Sequence, residues 1–358
     1  MIKPKVAVLR TSPQTILEDY KRLMHRAEYE RFLAKDITTL IKLNLSWTKY
    51  FPACSSEPWQ LEGVIKTLLE DGYQKDKLIP VENKTVVTNP LKGAKNNKWT
   101  SVLQKYNLEF VALPQVEWLR YEFKNKLLKL NQIFPEGIFI PKMLIGKNVL
   151  HLPTVKTHGH STTTGAIKNA FGGLLKEVRH FAHKYIHEVL VDLLLMQKEL
   201  HPGLFCVMDG TVCGDGAGPR TMKPKIKNII LASGDSLAID SVAAKIMGFD
   251  PMSIPYIRMA HELDLGAGDL REIEVVGEDI SEINFEFKTR RSLVIWGDQM
   301  IRKGFLRTLE KLLLRSPLFR WAPLASNVYH DFLWYPTVGL WRIKKFMKTE
   351  WGELWRQY

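Results

Sequence analysis

VLHLPTVKTHGHSTTTGAIKNAFGG, residues 149–173, decides how the chain is read. The apolar run Val149 to Val155 predicts a strand. The Ser/Thr cluster that ends at Gly165 predicts the cap of a helix running through Lys168 and Asn169. A strand, a loop and a helix in that order form a corner. In open α/β sheets such corners lie at the carboxyl ends of strands, where free backbone N–H groups and the helix dipole favour ligand binding. Lys156, His158, His160 and Lys168 would surround the opening. A cationic, hydroxyl-rich pocket suits a phosphate, a carboxylate or a metal-bound anion. Residue by residue, a solvated loop before an ordinary helix is the competing reading.

Outward from this corner, strand and helix patterns alternate. Val6 to Leu9 reads as a strand, followed by a helix opened by Ser12 and Pro13 and reaching about Leu33. Thr38 to Leu45 is a second strand, and Pro58 to Asp71 a helix with Gly72 as its stop. Lys84–Thr88 and Leu108–Leu113 read as strands around a helix near Val102 to Tyr106, and residues 117–135 as a basic helical insertion. Ile138 to Leu144 is a further strand. A long helix from Gly165 to about Leu200 is interrupted at Gly172–Gly173, and Leu204–Met208 and Ile229–Ala232 are two more short strands. The expected fold class is therefore α/β: a mostly parallel central sheet with helices on both faces, followed by a basic, aromatic helical module at the C-terminus. The expected division is residues 1–287 for the α/β domain and 288–358 for the tail.

Several residues outside the corner carry chemistry. Lys42 and Asn44 share one face near the carboxyl end of the second strand, with Glu82 at a comparable place; in a parallel sheet all three approach Lys156 and His158. His180, His183 and His187 fall at spacings of three and four, which suits metal ligation and equally a solvated face. Asp192 lies beside the apolar stripe, where a carboxylate needs a partner, and is expected to orient a histidine or lysine of the site. Asp209 ends a strand at the pocket rim before a loop containing Gly210, Gly214, Gly216 and Gly218, which reads either as a ligand loop or as a turn. Asp235 is an N-cap, and Asp240, at the edge of the following helix's apolar face, is a candidate metal ligand with His183 and His187.

Four ordered blocks in this chain resemble an uncharacterised family, domain-of-unknown-function family 362. They are Lys42 and Asn44; Lys156, His158, Thr164, Gly165, Lys168, Asn169, Gly172 and Gly173; Asp209, Gly210, Gly216, Gly218 and Pro219; and Asp235 with Asp240. The resemblance spans roughly residues 5 to 285 and implies a fold and a site location but hardly a reaction. It also implies an iron-sulfur role for some relatives. This chain departs from that, because Cys54, Cys206 and Cys213 are scattered, without a Cys-x-x-Cys spacing.

The 358 residues, 45% hydrophobic, suffice for a large core, and the cysteine usage fits a reducing cytoplasm. No signal-peptide h-region and no spanning apolar segment is read from the sequence. The net charge of +13 is uneven: residues 288–358 hold fourteen Lys or Arg against five Asp or Glu, and six of the ten tryptophans. Met300 to Arg315 has amphipathic spacing with a basic side, and Trp334 and Trp341 alternate with Lys344 and Lys345 downstream. The tail is thus expected to dock on an anionic membrane surface rather than complete the core. The expected function is an enzyme or cofactor-handling protein. It binds an anionic small ligand, with a divalent metal as one option, through Lys42, Asn44, Thr164, Lys168, Asn169, Gly216 and Gly218. His158, Lys156 and Asp209 are the candidates for catalysis. A non-catalytic iron-sulfur or redox partner protein, and nucleic-acid binding by the tail, are the alternatives; the amphipathic spacing favours membrane over nucleic acid. The expected location is cytoplasmic, at the membrane periphery.

Overall fold

Apolar strands that alternate with helices meet in one mixed, mostly parallel sheet with ten strands among the described residues. The computed structural model describes residues 3–176, 180–290, 296, 297, 300 and 321–358. The strands are β1 (Lys5–Arg10), β2 (Thr39–Lys42), β3 (Leu78–Glu82), β4 (Val111–Ala112), β5 (Trp118–Tyr121), β6 (Ile138–Pro141), β7 (Asn148–His151), β8 (Thr154–His158), β9 (Thr162–Thr163), β10 (Leu204–Ala217), β11 (Thr221–Ser233) and β12 (Glu274–Gly277). The helices are α1 (Ile16–Arg26), α2 (Pro58–Glu70), α3 (Pro90–Asn96), α4 (Trp99–Lys105), α5 (Leu130–Ile133), α6 (Gly165–Leu174), α7 (Ile186–Leu200), α8 (Ser236–Met247), α9 (Pro255–Glu262), α10 (Trp321–Asn327), α11 (Leu340–Phe346) and α12 (Glu350–Gln357), with a π-helical stretch, Val328–Gly339, between α10 and α11.

The sheet runs β12-β1-β11-β10-β7-β2-β3-β4, and β8 extends along β10 with β9 folded back on it. The pairings β2–β3, β2–β7, β3–β4, β7–β10, β8–β10 and β1–β12 are parallel. One face is covered by α1, α2 and α4, through Tyr20, Leu23, Trp59, Val64 and Trp99. The other is covered by α6 to α9, through Ile167, Phe171, Val189, Leu237 and Tyr256. A parallel sheet needs cover on both faces because its strands are apolar on both. The expected class is what the chain adopts.

The local differences have physical causes. Residues 210–217, read as part of a loop, continue β10 and pair antiparallel with β11, while Gly218 and Pro219 lie in the turn between the two strands. Their glycines serve close packing: a Cβ on Gly214, inside the strand, would lie 2.3 Å from the Met222 sulfur, and one on Gly218, in the turn, 1.7 Å from the Thr157 carbonyl oxygen. The strand expected at Lys84–Thr88 lies earlier, as β3, and residues 84–88 form a turn closed by a Thr85–Thr88 bridge. Residues 117–135 are not a helix; β5 pairs with β6 as an antiparallel ribbon, and only α5 is helical there. Val149–Val155 is two strands, divided at Pro153, which has no N–H to offer a ladder. The long helix 165–200 is likewise two, α6 and α7, with a 3₁₀ turn, His180–Tyr185, before α7.

Asp192 is fully buried, as expected, but its partners differ from the expectation. Its carboxylate accepts the backbone N–H groups of Leu128 (2.5 Å), Lys129 (2.9 Å) and Leu130 (2.8 Å), so it pins the start of α5 rather than orienting a histidine or lysine. Burial raises its pKa, against those hydrogen bonds.

The end of the tail completes the core, contrary to expectation. Trp351 is 2% exposed, its ring centroid lies 5.0 Å from that of Trp59, and its indole N–H donates to Asn228 Oδ1 at 2.7 Å. Phe346 is buried in the same cluster. The amphipathic stretch expected from Met300 to Arg315 lies, from residue 301 on, outside the described residues.

Candidate functional site

The corner forms as the sequence suggests, with a different cap. β8 carries Lys156 and His158 to the sheet edge, and β9 returns so that Thr157 pairs with Thr163. Thr164 then sits at the N-cap position of α6, but its hydroxyl and N–H both donate to the Lys156 carbonyl, at 3.2 and 3.0 Å. The helix N-terminus is capped from elsewhere. The Asp240 carboxylate, reaching across from α8, accepts the N–H groups of Ala166 and Ile167 (3.2 Å to the latter) and the Tyr256 hydroxyl at 3.2 Å. Gly165 makes room for it: its φ is +61°, and a Cβ there would meet the carboxylate at 2.4 Å. Burial pushes the Asp240 carboxyl up to about 7. An internal carboxyl group therefore already occupies the N-terminal end of α6, and Asp240 is a cap where a metal ligand was expected.

Beside this cap, strand ends and helix flank are tied by side chains. Lys156, fully buried, donates from Nζ to Asn44 Oδ1 (2.5 Å), to Ser46 Oγ (3.1 Å) and to the Cys54 carbonyl (2.5 Å). Asn44 Nδ2 donates to Asn169 Oδ1 on α6 at 3.3 Å. Asn169 Nδ2 donates to the Lys42 carbonyl (3.0 Å) and faces His151 Nδ1 (3.3 Å). Since Asn169 presents N–H there, Nδ1 accepts, and His151 Nε2 carries the proton that Gln197 Oε1 receives at 2.6 Å. The result is one directed chain, Lys156–Asn44–Asn169–His151–Gln197. Lys42 is buried against Glu82, Nζ to Oε1 2.8 Å, and both lie where a Cβ on Gly172 would come within 3.2 Å of Nζ and 3.3 Å of Oε1.

Burial sets the electrostatics. It brings the Lys156 ammonium down to about 8, with Cys54, Glu57 and Glu82 acting against it, and His151 to about 3, so that imidazole is neutral. His158 is also pushed far below its ordinary value by burial, then by the positive charge of Lys168 and the nearby His160 and His183. Its Nδ1 faces the N–H groups of His160 (3.2 Å) and Ser161 (3.3 Å), so Nδ1 accepts. The rings of His158 and His160 are 5.9 Å apart, and those of His160 and His183 5.3 Å. Above the buried floor, Asn44, Ser46, His160, Lys168 and His183 are partly accessible to solvent.

The structure thus brings together Lys42, Asn44, Lys156 and Asn169, with His158, Lys168 and His183 around them. Other expected members stand apart. Asp209 is not at a rim. It is fully buried toward α1 and α2, accepting from Tyr20 Oη (2.6 Å), Trp59 Nε1 (3.0 Å) and the Thr211 hydroxyl (2.8 Å). Gly216 and Gly218 brace the β10–β11 hairpin against the corner: Thr157 Oγ1 donates to the Gly216 carbonyl at 2.9 Å, and Gly159 N–H to that of Gly218 at 3.3 Å. His187 stacks on Tyr256, centroids 6.2 Å apart. Among the described residues no group of three His, Cys, Asp or Glu is placed to hold a metal ion. Cys54, Cys206 and Cys213 are all buried free thiols. His151, Gln197, Ser46 and the buried Glu57 escaped the sequence reading; His151 lay inside the decisive stretch, its polarity between Leu150 and Leu152 the one available signal.

This geometry can be set beside known proteins. The sequence signature of Domain of unknown function (DUF362) covers residues 39–245, from β2 to α8, more than half of the chain and the whole corner. The chain belongs to the DUF362 family. Its Lys42–Asn44 strand end, its α6 block and Asp240 all lie inside the DUF362 region, while β1, β12 and the C-terminal helices lie outside it. A Thylakoid-associated protein of Synechocystis sp. is 32% identical over 121 residues. That match covers 33% of this chain and 37% of the relative.

Proposed function

We propose that this DUF362 protein binds an anionic small ligand, as an enzyme or a cofactor-handling protein, at the partly open mouth over Lys156. The observation that carries this reading is the chain Lys156–Asn44–Asn169, which fixes a buried cation beneath the more accessible Lys168 and His160. Burying a lysine is costly, and a fold keeps one at a strand-end cleft when the charge or its proton has a use. The ligand sits against the flank of α6, since Asp240 fills the helix terminus. Lys168 and His160 hold the anion, and His158 or Lys156 moves a proton.

The test is thermal unfolding of the full chain with inorganic phosphate and, separately, with oxalate. Either anion raises the midpoint of the wild type more than chloride does at equal ionic strength, and Lys168→Gln removes that increment. Equal midpoints in all three salts refute the reading.

We also propose that the protein works at a membrane surface. Two observations support this: apolar side chains exposed on the C-terminal helices, and a relative described as thylakoid-associated. No described helix is long and apolar enough to cross a membrane, which is compatible with attachment from one side.

A further inference from the structure

The membrane reading does not say which part of the molecule meets the lipid, and the sequence pointed partly at residues that turn inward. Trp334 packs on Trp47 and Phe51, with centroids 5.9 and 5.3 Å away, and Tyr335 Oη donates to the Tyr50 carbonyl at 3.0 Å. Asp331, the one acidic residue between 321 and 340, accepts the Trp47 indole N–H at 2.6 Å. The inner side of this helical run is therefore fully engaged.

Its outer side is the anomaly. Leu324 is 65% exposed, Phe332 72% and Trp341 62%, with Val328, Leu333 and Leu340 exposed as well. Leu324, Val328 and Phe332 are spaced by four, so they share one stripe. A helix apolar on two sides belongs inside something on both. One side of this one is packed against the sheet domain, and the other has no cover among the described residues. A contiguous exposed apolar strip of this kind marks an interaction surface.

Charge identifies the occupant. Where the strip ends, Trp341 borders a groove lined by Arg342 and Lys345 from α11 and by Lys223, Lys225 and the exposed Ile226 from β11. Among the described residues no carboxylate lines that groove. Arg342 is anchored there, donating to the Met222 carbonyl at 2.6 Å, and Lys345 Nζ lies 5.9 Å from the Trp341 ring centroid. Apolar side chains, then a tryptophan, then cations is the order of layers met on leaving a bilayer: acyl chains, interface, headgroups.

We infer that the run Leu324 to Trp341 lies in the bilayer interface with Phe332 and Leu333 at its deepest point. Lys223, Lys225 and Lys345 meet the headgroup phosphates of anionic lipids. This rests on the membrane reading and deepens it, because it adds the β10–β11 hairpin to the docking surface and removes Trp334 from it.

Co-sedimentation of the full chain with phosphatidylcholine vesicles, and with vesicles that also contain phosphatidylglycerol, tests both. The wild type partitions onto the mixed vesicles. Phe332→Ser with Leu333→Ser weakens this by about tenfold or more, while Leu263→Ser, an exposed leucine far from the strip in sequence, changes nothing. Lys223→Glu with Lys225→Glu abolishes the preference for phosphatidylglycerol. Melting temperatures of the variants verify that each is folded. Wild type that binds neither vesicle overturns the membrane reading and this inference together. Wild type that binds while the Phe332/Leu333 variant binds equally overturns the inference alone. A dimer in native mass spectrometry that the same variant splits, without vesicle binding, assigns the strip to a second copy and overturns the inference too.

Discussion

The corner around Lys156 and the C-terminal helices are opposite departures from ordinary burial. In the corner, polar and ionisable groups lie inside: Lys42, Lys156, His151, His158, Asn169 and Asp240 are all buried. In the C-terminal helices, Leu324, Phe332, Leu333 and Trp341 lie outside. Buried polar groups and exposed apolar patches are the two informative exceptions to the usual distribution. The difference between them is how each is satisfied. The corner ties its polar groups to one another, through a directed hydrogen-bond chain and a carboxylate cap, with Glu82 Oε2 and Gln197 Nε2 left without a partner among the described residues. The outer strip is covered by nothing among the described residues, and a lipid surface is the partner proposed for it.

The largest test of this contrast lies within the tail itself. Trp351→Ala removes a fully buried indole, its contact with Trp59 and its hydrogen bond to Asn228. A loss of about 3–5 kcal/mol is expected. Trp341→Ala, ten positions earlier, removes an exposed ring and is expected to change stability by less than about 0.5 kcal/mol. Urea unfolding midpoints of the two variants measure the difference. Similar losses would mean that the tail has no inner and outer sides.

A somewhat smaller effect is expected in the corner from Gly165→Ala. The added methyl faces two penalties, a left-handed φ of +61° and a carboxylate 2.4 Å away. Together these amount to about 2–4 kcal/mol. Gly146→Ala, at a φ of +67° with open space around it, has only the first penalty and should lose about 1 kcal/mol. If the two substitutions cost the same, the close seat of Asp240 on α6 does not hold.

These sites also show what could be read from sequence. Elements set by local pattern were legible: β1, α2, the strand-loop-helix corner, and Asp235, whose carboxylate does accept the N–H groups of Leu237 and Ala238. The convergence of Lys42, Asn44 and Glu82 on Lys156 followed from parallel alternation alone. Non-local partners were not legible. Nothing near Asp240 indicates that it caps a helix begun 75 residues earlier, nor does anything near Asp192 point to the N–H groups of α5. Glycine misled between 210 and 217, where it signals close backbone approach within a strand and was read as a ligand loop or a turn; only Gly218 and Pro219 are in a turn. In the tail, composition gave the amphipathic character but could not separate Trp351, which faces in, from Trp341, which faces out, because both sit among similar basic and aromatic neighbours.

The remaining test is the most specific to the corner, and it is a pH dependence. A free aspartate titrates near pH ~3.9, whereas burial holds Asp240 at about 7 in the folded chain. Between those values the folded state binds this proton more tightly than the unfolded state does. Its contribution to stability is fully present below the unfolded pKa and is lost as pH rises through the folded one. His151 and Lys156 shift the other way, both held low by burial, so they add stability as pH rises through their own ranges. The total profile therefore mixes opposing slopes, and the informative quantity is a difference. Asp240→Asn keeps an oxygen for one of the two N–H groups of α6 and removes the titration, while His151 and Lys156 stay in both proteins. Stability of the wild type minus that of the variant, from urea midpoints, should fall steadily between about pH 4 and 7 and level off above. A difference that is flat across that window, or that rises with pH, would show that the carboxylate is ionised throughout and that α6 is capped by a permanent charge. The inside of the corner would then resemble an ordinary capped helix, and its contrast with the tail would rest on Lys156 and its hydrogen-bond chain alone.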